Sequence, residues 1–297
     1  MRTIEYIVRE GYTSIRACDY LRGVLGYSSR TMTTLRKQMG LLTVNDIPQT
    51  VVVRVAAGDR LCINIPDDTM KSLPQESPLV EIAYEDDDVI VFNKPSGMPV
   101  HESKKHQEGT LANVFAAHCL RKGESLVFRA VNRLDRDTSG LVVVAKHQHS
   151  ANALSGKIAK EYTAIACGEI EAEAGTVDAP IKRLAPERQI RIVSEDGQHA
   201  VTHYQVLARG GGYTLLKLTL ETGRTHQIRV HMAHIGHPLA GDAMYGGSLV
   251  DIQRQALHCG RVEFTNEITK KCINIQADLC EDMQKLLQKV NKPVNDA

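Results

Sequence analysis

Strand-like runs crowd the middle of this sequence with little helix between them. LVVVAK, YTAIACGEI, HYQVLAR and YTLLKLTLE follow one another between residues 141 and 221. The last alternates cleanly around Leu216, Leu218 and Leu220, the period of a strand with one buried face. Gly210-Gly211-Gly212 separates two of these runs and reads as a hairpin turn. Upstream, LVEIAYEDDDVIVFNKPSGMPVH holds two further runs around the acidic turn Asp86-Asp87-Asp88. Helical patterns are fewer: TLANVFAAHCLRK, SANALSGKIAK and, near the C-terminus, EDMQKLLQKV. Strands that succeed one another without strict helix alternation argue against a doubly wound sheet. They predict an α+β domain with a mixed, largely antiparallel sheet from about residue 80 to 297.

The chain has 297 residues, enough for that domain and a small module before it. Residues 1–65 supply the module. Leu21, Val24 and Leu25 keep helical spacing, and Ser28 or Ser29 can cap a second helix carrying Arg30, Thr34, Arg36 and Lys37. LLTVND, TVVVRV and RLCINI then read as short strands. Through residue 63, nine bases (Arg2, Arg9, Arg16, Arg22, Arg30, Arg36, Lys37, Arg54, Arg60) face five acids (Glu5, Glu10, Asp19, Asp46, Asp59). Such a surplus marks either a polyanion-binding face or a merely solvated helix. Residues 66–79, PDDTMKSLPQESPL, have the polar, proline-punctuated composition of a linker.

Net charge is only +1, so any polyanion must be met by local clusters and not by the whole molecule. No apolar run approaches the ~20 residues that span a bilayer, and MRTIEYIVREGYTS has neither a signal-peptide core nor a cleavage site. The seven cysteines are scattered without a C-x-x-C pair and read as reduced thiols. A cytoplasmic protein is expected.

Two polar stretches are candidates for chemistry. In VNRLDRDTSGLVVVAK, Asp135-x-Asp137-x-Ser139-Gly140 begins like an EF-hand loop. The last loop position needs a bidentate carboxylate and falls on Lys146, which argues against calcium. A purely structural reading has Asp137, Thr138 and Ser139 making turn bonds while Arg133 and Arg136 pair with surface acids. In ETGRTHQIRVHMAHIGHPLAGDAMYGG, His231, His234 and His237 raise the question of zinc. No Glu follows the first histidine, and Gly236 and Pro238 end any helix there, so no metal is expected. If IRVHM is extended, Gln227, Arg229 and His231 share one face. Burying those polar groups would be costly unless an anionic partner met them.

The two stretches, together with KEYTAIACGEI, the tail RQALHCGRVEF and the upstream YEDDDVIVFNKPSGMPVHE and GTLANV, resemble the RluA-type pseudouridine synthases over about residues 80 to 290. The R-L-D-x-x-T-S-G and G-R-T-H-Q-I-R-V-H runs carry the likeness. The N-terminal module resembles the S4 RNA-binding domain, with Ser29-Arg30 at the usual entry to its second helix. One departure is Asn132, where the family usually has His before R-L-D. It is read as a change in how the loop is held.

The resemblance implies an RNA uridine-to-pseudouridine isomerase without metal or organic cofactor. Asp135 would act at ribose C1′, either by direct attack or by taking a sugar proton. An ionised Asp at neutral pH calls for a nearby cation, and Arg229 is the match. The target base must be extruded; Arg133 matches the residue that fills the gap. Tyr162 matches the aromatic that packs on the uracil and assists proton removal. Arg224, His226 and Gln227 would touch phosphate or position the loop, Lys160 would meet the backbone, and Leu257 would line the pocket. Arg30, Arg36 and Lys37 would serve the N-terminal module's RNA contact. Ribosomal RNA is the favoured substrate, transfer RNA the near alternative, and a noncatalytic RNA-binding protein of the same fold the other class. A monomer without an obligate protein partner or membrane contact is expected.

Overall fold

A computed structural model of the chain describes residues 2–65, 70–103 and 107–291, without the side chain of Arg30. The N-terminal part comprises β1 (Arg2–Ile7), β2 (Ile15–Arg16), α1 (Ala17–Gly23), α2 (Ser29–Lys37), β3 (Leu42–Val44), β4 (Ile47–Pro48), β5 (Arg54–Val55) and β6 (Arg60–Ile65). Its strands pair in the order β1-β6-β3-β4, with β2 and β5 forming a separate ribbon. Tyr20, Leu21, Leu42, Leu61 and Ile63 bury a core of their own. Ser28 caps α2 by accepting from the Thr31 amide. The TVVVRV run is strand only at Arg54–Val55. Val51 and Val53 instead turn their carbonyls to the Cys18 and Ala17 amides, closing donors that the start of α1 cannot pair internally.

The larger part runs β7 (Glu81–Glu85), β8 (Val89–Lys94), α3 (Leu111–Arg121), β9 (Ser139–Ala145), α4 (Gln148–Leu154), β10 (Ala159–Cys167), β11 (Ala174–Asp178), β12 (Ile181–Arg183), β13 (Arg191–Val193), β14 (Val201–Gly210), β15 (Tyr213–Leu220), α5 (Gln227–His234), β16 (Leu257–Thr265), β17 (Cys272–Gln276) and α6 (Glu281–Val290). Its sheet orders β11-β14-β15-β10-β16-β9-β8-β7, with β17 also on β16. Every pairing in it is antiparallel except β16 with β9, so the expected mixed, largely antiparallel α+β sheet is what forms. All seven residues of β9 are buried, which explains why LVVVAK reads as an unbroken apolar run instead of alternating. The β14–β15 hairpin turns at the three glycines, all at positive φ. Helix α4 stops at Leu154, before Gly156 at φ +73°, and the rest of SANALSGKIAK enters β10.

Gly140 stands where β9 meets β16. Its φ is +111°, and a Cβ there would lie 2.3 Å from the Cys259 carbonyl oxygen. That close crossing fixes the end of the loop carrying Asp135. Residues 73–75 are tied to α3: the Asn113 side-chain amide donates to the Leu73 carbonyl, and the Gln75 backbone amide donates to the Asn113 carbonyl. The two parts touch through the Tyr27 ring stacked on His149 (centroids 3.9 Å) and through Arg2, which donates to Asp88 at 3.1 Å.

Candidate active site

The extended reading of IRVHM is overturned: Gln227–His234 is helix α5. The partners its polar residues require are the protein's own, and only those of Arg229 are anions. The Arg229 Nε and Nη2 donate to Asp242 at 2.7 and 2.8 Å, and Nη1 donates to Asp135 Oδ2 at 3.0 Å. The His231 ring lies between Thr202 Oγ1 and the Ala179 carbonyl. Gln227 accepts from the Arg224 amide and Thr222, and donates to Val201 O and Thr202. Its polar atoms are therefore occupied within the protein.

His226 begins this helix in the left-handed region, at φ 59°, a conformation that costs a non-glycine residue about 1 kcal/mol or more. The ring is held against Tyr245, Nδ1 to hydroxyl at 2.8 Å, and its Nε2 faces Asp135 Oδ2 at 3.7 Å. Burial pushes the imidazole below its usual range, opposed by the Asp135 charge, so it is neutral at neutral pH. Burial acts downward on Arg229 too, but the bonds and charges of Asp242 and Asp135 outweigh it and hold the guanidinium firmly protonated. Tyr245 lies under that guanidinium, 5.0 Å from ring centroid to carbon.

Asp135 is 27% exposed and sits on a cleft lined also by Arg133, Leu134, Thr138, Tyr162, Leu220, Arg224, Gln227 and Leu257. The cavity is about 60 Å³, room for about four waters at ~15 Å³ each. Other cavities are larger, such as the roughly 390 Å³ groove between the N-terminal part and α4, but this cleft holds the acid and its guanidinium. Tyr162 stands on β10 across from Cys259. Burial, with the Cys259 thiol beside it, raises the phenol well above its usual value, so it enters any reaction protonated. Leu257 is buried in the wall. Arg133 and Arg224 are exposed at the rim, Arg224 donating its Nε to the His199 carbonyl. Lys160 is not brought into the cleft: it is half-buried and donates to the Ile158 carbonyl at 3.3 Å. Arg36 and Lys37 are exposed on the last turn of α2; the side chain of Arg30 lies outside the described residues.

The acid loop itself is over-determined. Asn132 donates to Leu141 O and accepts from the Val143 amide, lacing the loop to β9. Thr138 N closes a turn onto Asp135 O. Arg136 and Asp137 form a two-point pair at the surface, 2.9 Å at each contact, the role anticipated for Arg136; the Asp137 carboxylate is thereby turned to that guanidinium and not to the turn bond expected of it. Lys94, which no motif in the sequence singles out, is fully buried and donates to the carbonyls of Pro95, Met98 and Arg136. Burial pushes it down to about 7, against the pull of Asp137 and Asp135. Asp242 was also missed; its place in the same motif as Arg229 was the available signal. Among the described residues no cluster of His, Cys, Asp and Glu is arranged to hold a metal ion, and no helix is long and apolar enough to cross a membrane.

The sequence matches the RNA pseudouridylate synthase family over residues 88–234. It is 40% identical over 301 residues to the uncharacterized RNA pseudouridine synthase YlyB of Bacillus subtilis, covering 98% of this chain and 99% of that one. It is 39% identical over 284 residues to ribosomal large subunit pseudouridine synthase D of Pasteurella multocida, covering 88% and 86%. Among solved structures, human RNA Pseudouridylate Synthase Domain Containing 4 superposes with a TM-score of 0.57 at 25% identity, over 70% of this chain and 92% of that one. The chain belongs to the RNA pseudouridine synthase family, in its RluA-type branch.

Proposed function

We propose that the protein isomerises specific uridines of large-subunit ribosomal RNA, with Asp135 as the group that acts on the ribose of an everted nucleotide. The observation that carries this is the Asp135–Arg229 contact at 3.0 Å on a cleft shared with Tyr162 and Leu257. The reaction breaks N1–C1′, forms C5–C1′ and moves one proton from C5 to solvent while N1 regains one; atoms and electrons balance without an added reagent. Asp135 is exposed enough to reach the sugar and anchored enough to keep its aim. Both direct attack on C1′ and removal of a sugar proton are open to it.

Extruding a base leaves a gap in the RNA stack, and Arg133, exposed at the rim, is the side chain to occupy it. Tyr162 and Leu257 form the wall for the uracil ring. Arg224 and His226 stand where a phosphate would pass, with Arg229 committed to its two acids. Residues 1–65 act as an S4-like RNA-binding module joined by 66–79 to the catalytic domain, 80–297, and Arg30, Arg36 and Lys37 present the charge. The relatives named for the large ribosomal subunit favour ribosomal over transfer RNA. We read the protein as a cytoplasmic monomer that uses no cofactor.

Mapping pseudouridine in total RNA from cells with and without the gene tests the substrate. Loss of a large-subunit ribosomal site is expected; loss confined to transfer RNA would redirect the assignment. Restoring the gene as Asp135→Asn should leave the site unmodified while the purified variant still binds RNA. Full modification by that variant would end the mechanism.

A further inference from the structure

Arg254 begins the segment leading into β16 and is 8% exposed at its side chain. Nε and Nη2 grip Asp282, in the first turn of α6, at 2.6 and 2.8 Å. The remaining nitrogen, Nη1, donates to the carbonyls of Asp137, Gln255 and Leu257 at 3.1, 3.2 and 3.3 Å. Asp137 lies two residues past Asp135, and the next residue, Thr138, accepts from Gln255 Nε2 at 3.1 Å.

The backbone of the same segment meets the other half of the site. A Cβ on Gly241 would lie 2.0 Å from the Arg254 carbonyl oxygen, and Ala256 N donates to Ala240 O at 2.8 Å. Residues 240–242 carry Asp242, which sets Arg229. Arg254 thus lies between the loop that presents Asp135 and the loop that presents Asp242, the second acid on Arg229. Its charge is balanced by Asp282, brought from the C-terminal helix. Both residues fall outside the 88–234 segment matched to the family.

We propose that Arg254 and Asp282 are positioning residues for the reaction: α6, through Asp282, holds the Arg254 fork that keeps Asp135 and Arg229 in register. A guanidinium fork satisfied on two edges is geometrically fixed, whereas one released from its carboxylate can rotate away from the Asp137 carbonyl. A displacement of about 1 Å in the acid would lower turnover by up to ~100-fold without touching the surfaces that bind RNA. The proposal rests on Asp135 being the group that meets the ribose.

The test is steady-state kinetics of the full chain on an RNA containing its target uridine, for wild type, Asp282→Asn, Asp282→Glu and Asp135→Ala. Asp282→Asn is expected to lower kcat by about tenfold or more with KM within about twofold, and Asp282→Glu to recover most of that loss. A folded Asp282→Asn protein with wild-type kcat, or one in which KM rises while kcat holds, overturns the proposal. Should Asp282→Asn not melt cooperatively, Arg254→Lys, which keeps the buried charge but removes the fork, is read by the same criteria. An active Asp135→Ala protein would instead overturn the reading of the acid itself, so the two failures are distinguishable.

Discussion

Arg229 meets Asp135 with the nitrogen left over once Asp242 has taken its Nε and Nη2. The buried Asp242, 1% exposed at its side chain, fixes the plane of the guanidinium, and the partly exposed Asp135 receives a charge already aimed. An ammonium on a flexible stem cannot span two carboxylates in this way. Arg229→Lys should therefore lower single-turnover rates by roughly 100-fold with the protein still folded. A wild-type rate in that variant would contradict the role given to the guanidinium.

Asp242→Ala should act mainly on stability. It leaves a buried guanidinium with one acid in place of two, and breaking a buried pair costs about 3 kcal/mol or more. Denaturant titration would read the loss as a lower midpoint at an unchanged slope. A midpoint equal to wild type would show that Asp135 alone suffices.

Tyr162 offers a split between ring and hydroxyl. Because burial keeps the phenol protonated, its packing surface should matter more than its titration. Tyr162→Leu is expected to lose more turnover than Tyr162→Phe. The reverse order in matched rate measurements would assign the hydroxyl the larger part.

On α2, removing Arg36 and Lys37 together should weaken RNA binding while kcat at saturation stays the same. The slope of log affinity against log salt should shrink by about one for each phosphate that is no longer neutralised. An unchanged slope would remove these two residues from the interface.

Asp88 gives the pH dependence. Burial acts upward on its carboxyl, but the bonds from His147, Asn266 and Arg2, with the Arg2 charge, bring it from the usual 3.8 to about 2. A carboxylate lowered by folding contributes stability that is whole above the unfolded value and lost as pH falls through the folded one. Roughly 2 kcal/mol should therefore disappear between about pH 4 and pH 2. Thermal melts of wild type and Asp88→Asn across that window should converge at the acid end; parallel curves would refute the assignment.

How much was legible follows from where each constraint lies along the chain. Hairpins and caps are local, so Gly210-Gly211-Gly212, a cap at Ser28 or Ser29 and most of the strand runs could be read directly, TVVVRV excepted. The pairing of Asp135 with Arg229 spans 94 positions and was reached only through resemblance to a family. Gln227, Arg229 and His231 mislead because their alternation mimics a strand; the partners that make their burial tolerable, Thr202, Ala179 and Asp242, lie on other elements. Lys94 was invisible for a related reason, since its acceptors are backbone carbonyls that any sequence could supply. Lys160 lies two residues before Tyr162 on the same strand face, yet its amine turns back to Ile158 O, and strand alternation cannot reveal that.

The crossing at Gly140 also bears on how mutations here are interpreted. Even an alanine at that position would force β9 away from β16 and tilt the peptide that leads to the acid. A saturation scan should record a residue that tolerates no replacement although it is buried and has no side chain to offer a substrate, and its phenotype would imitate the loss of a reacting group five positions upstream.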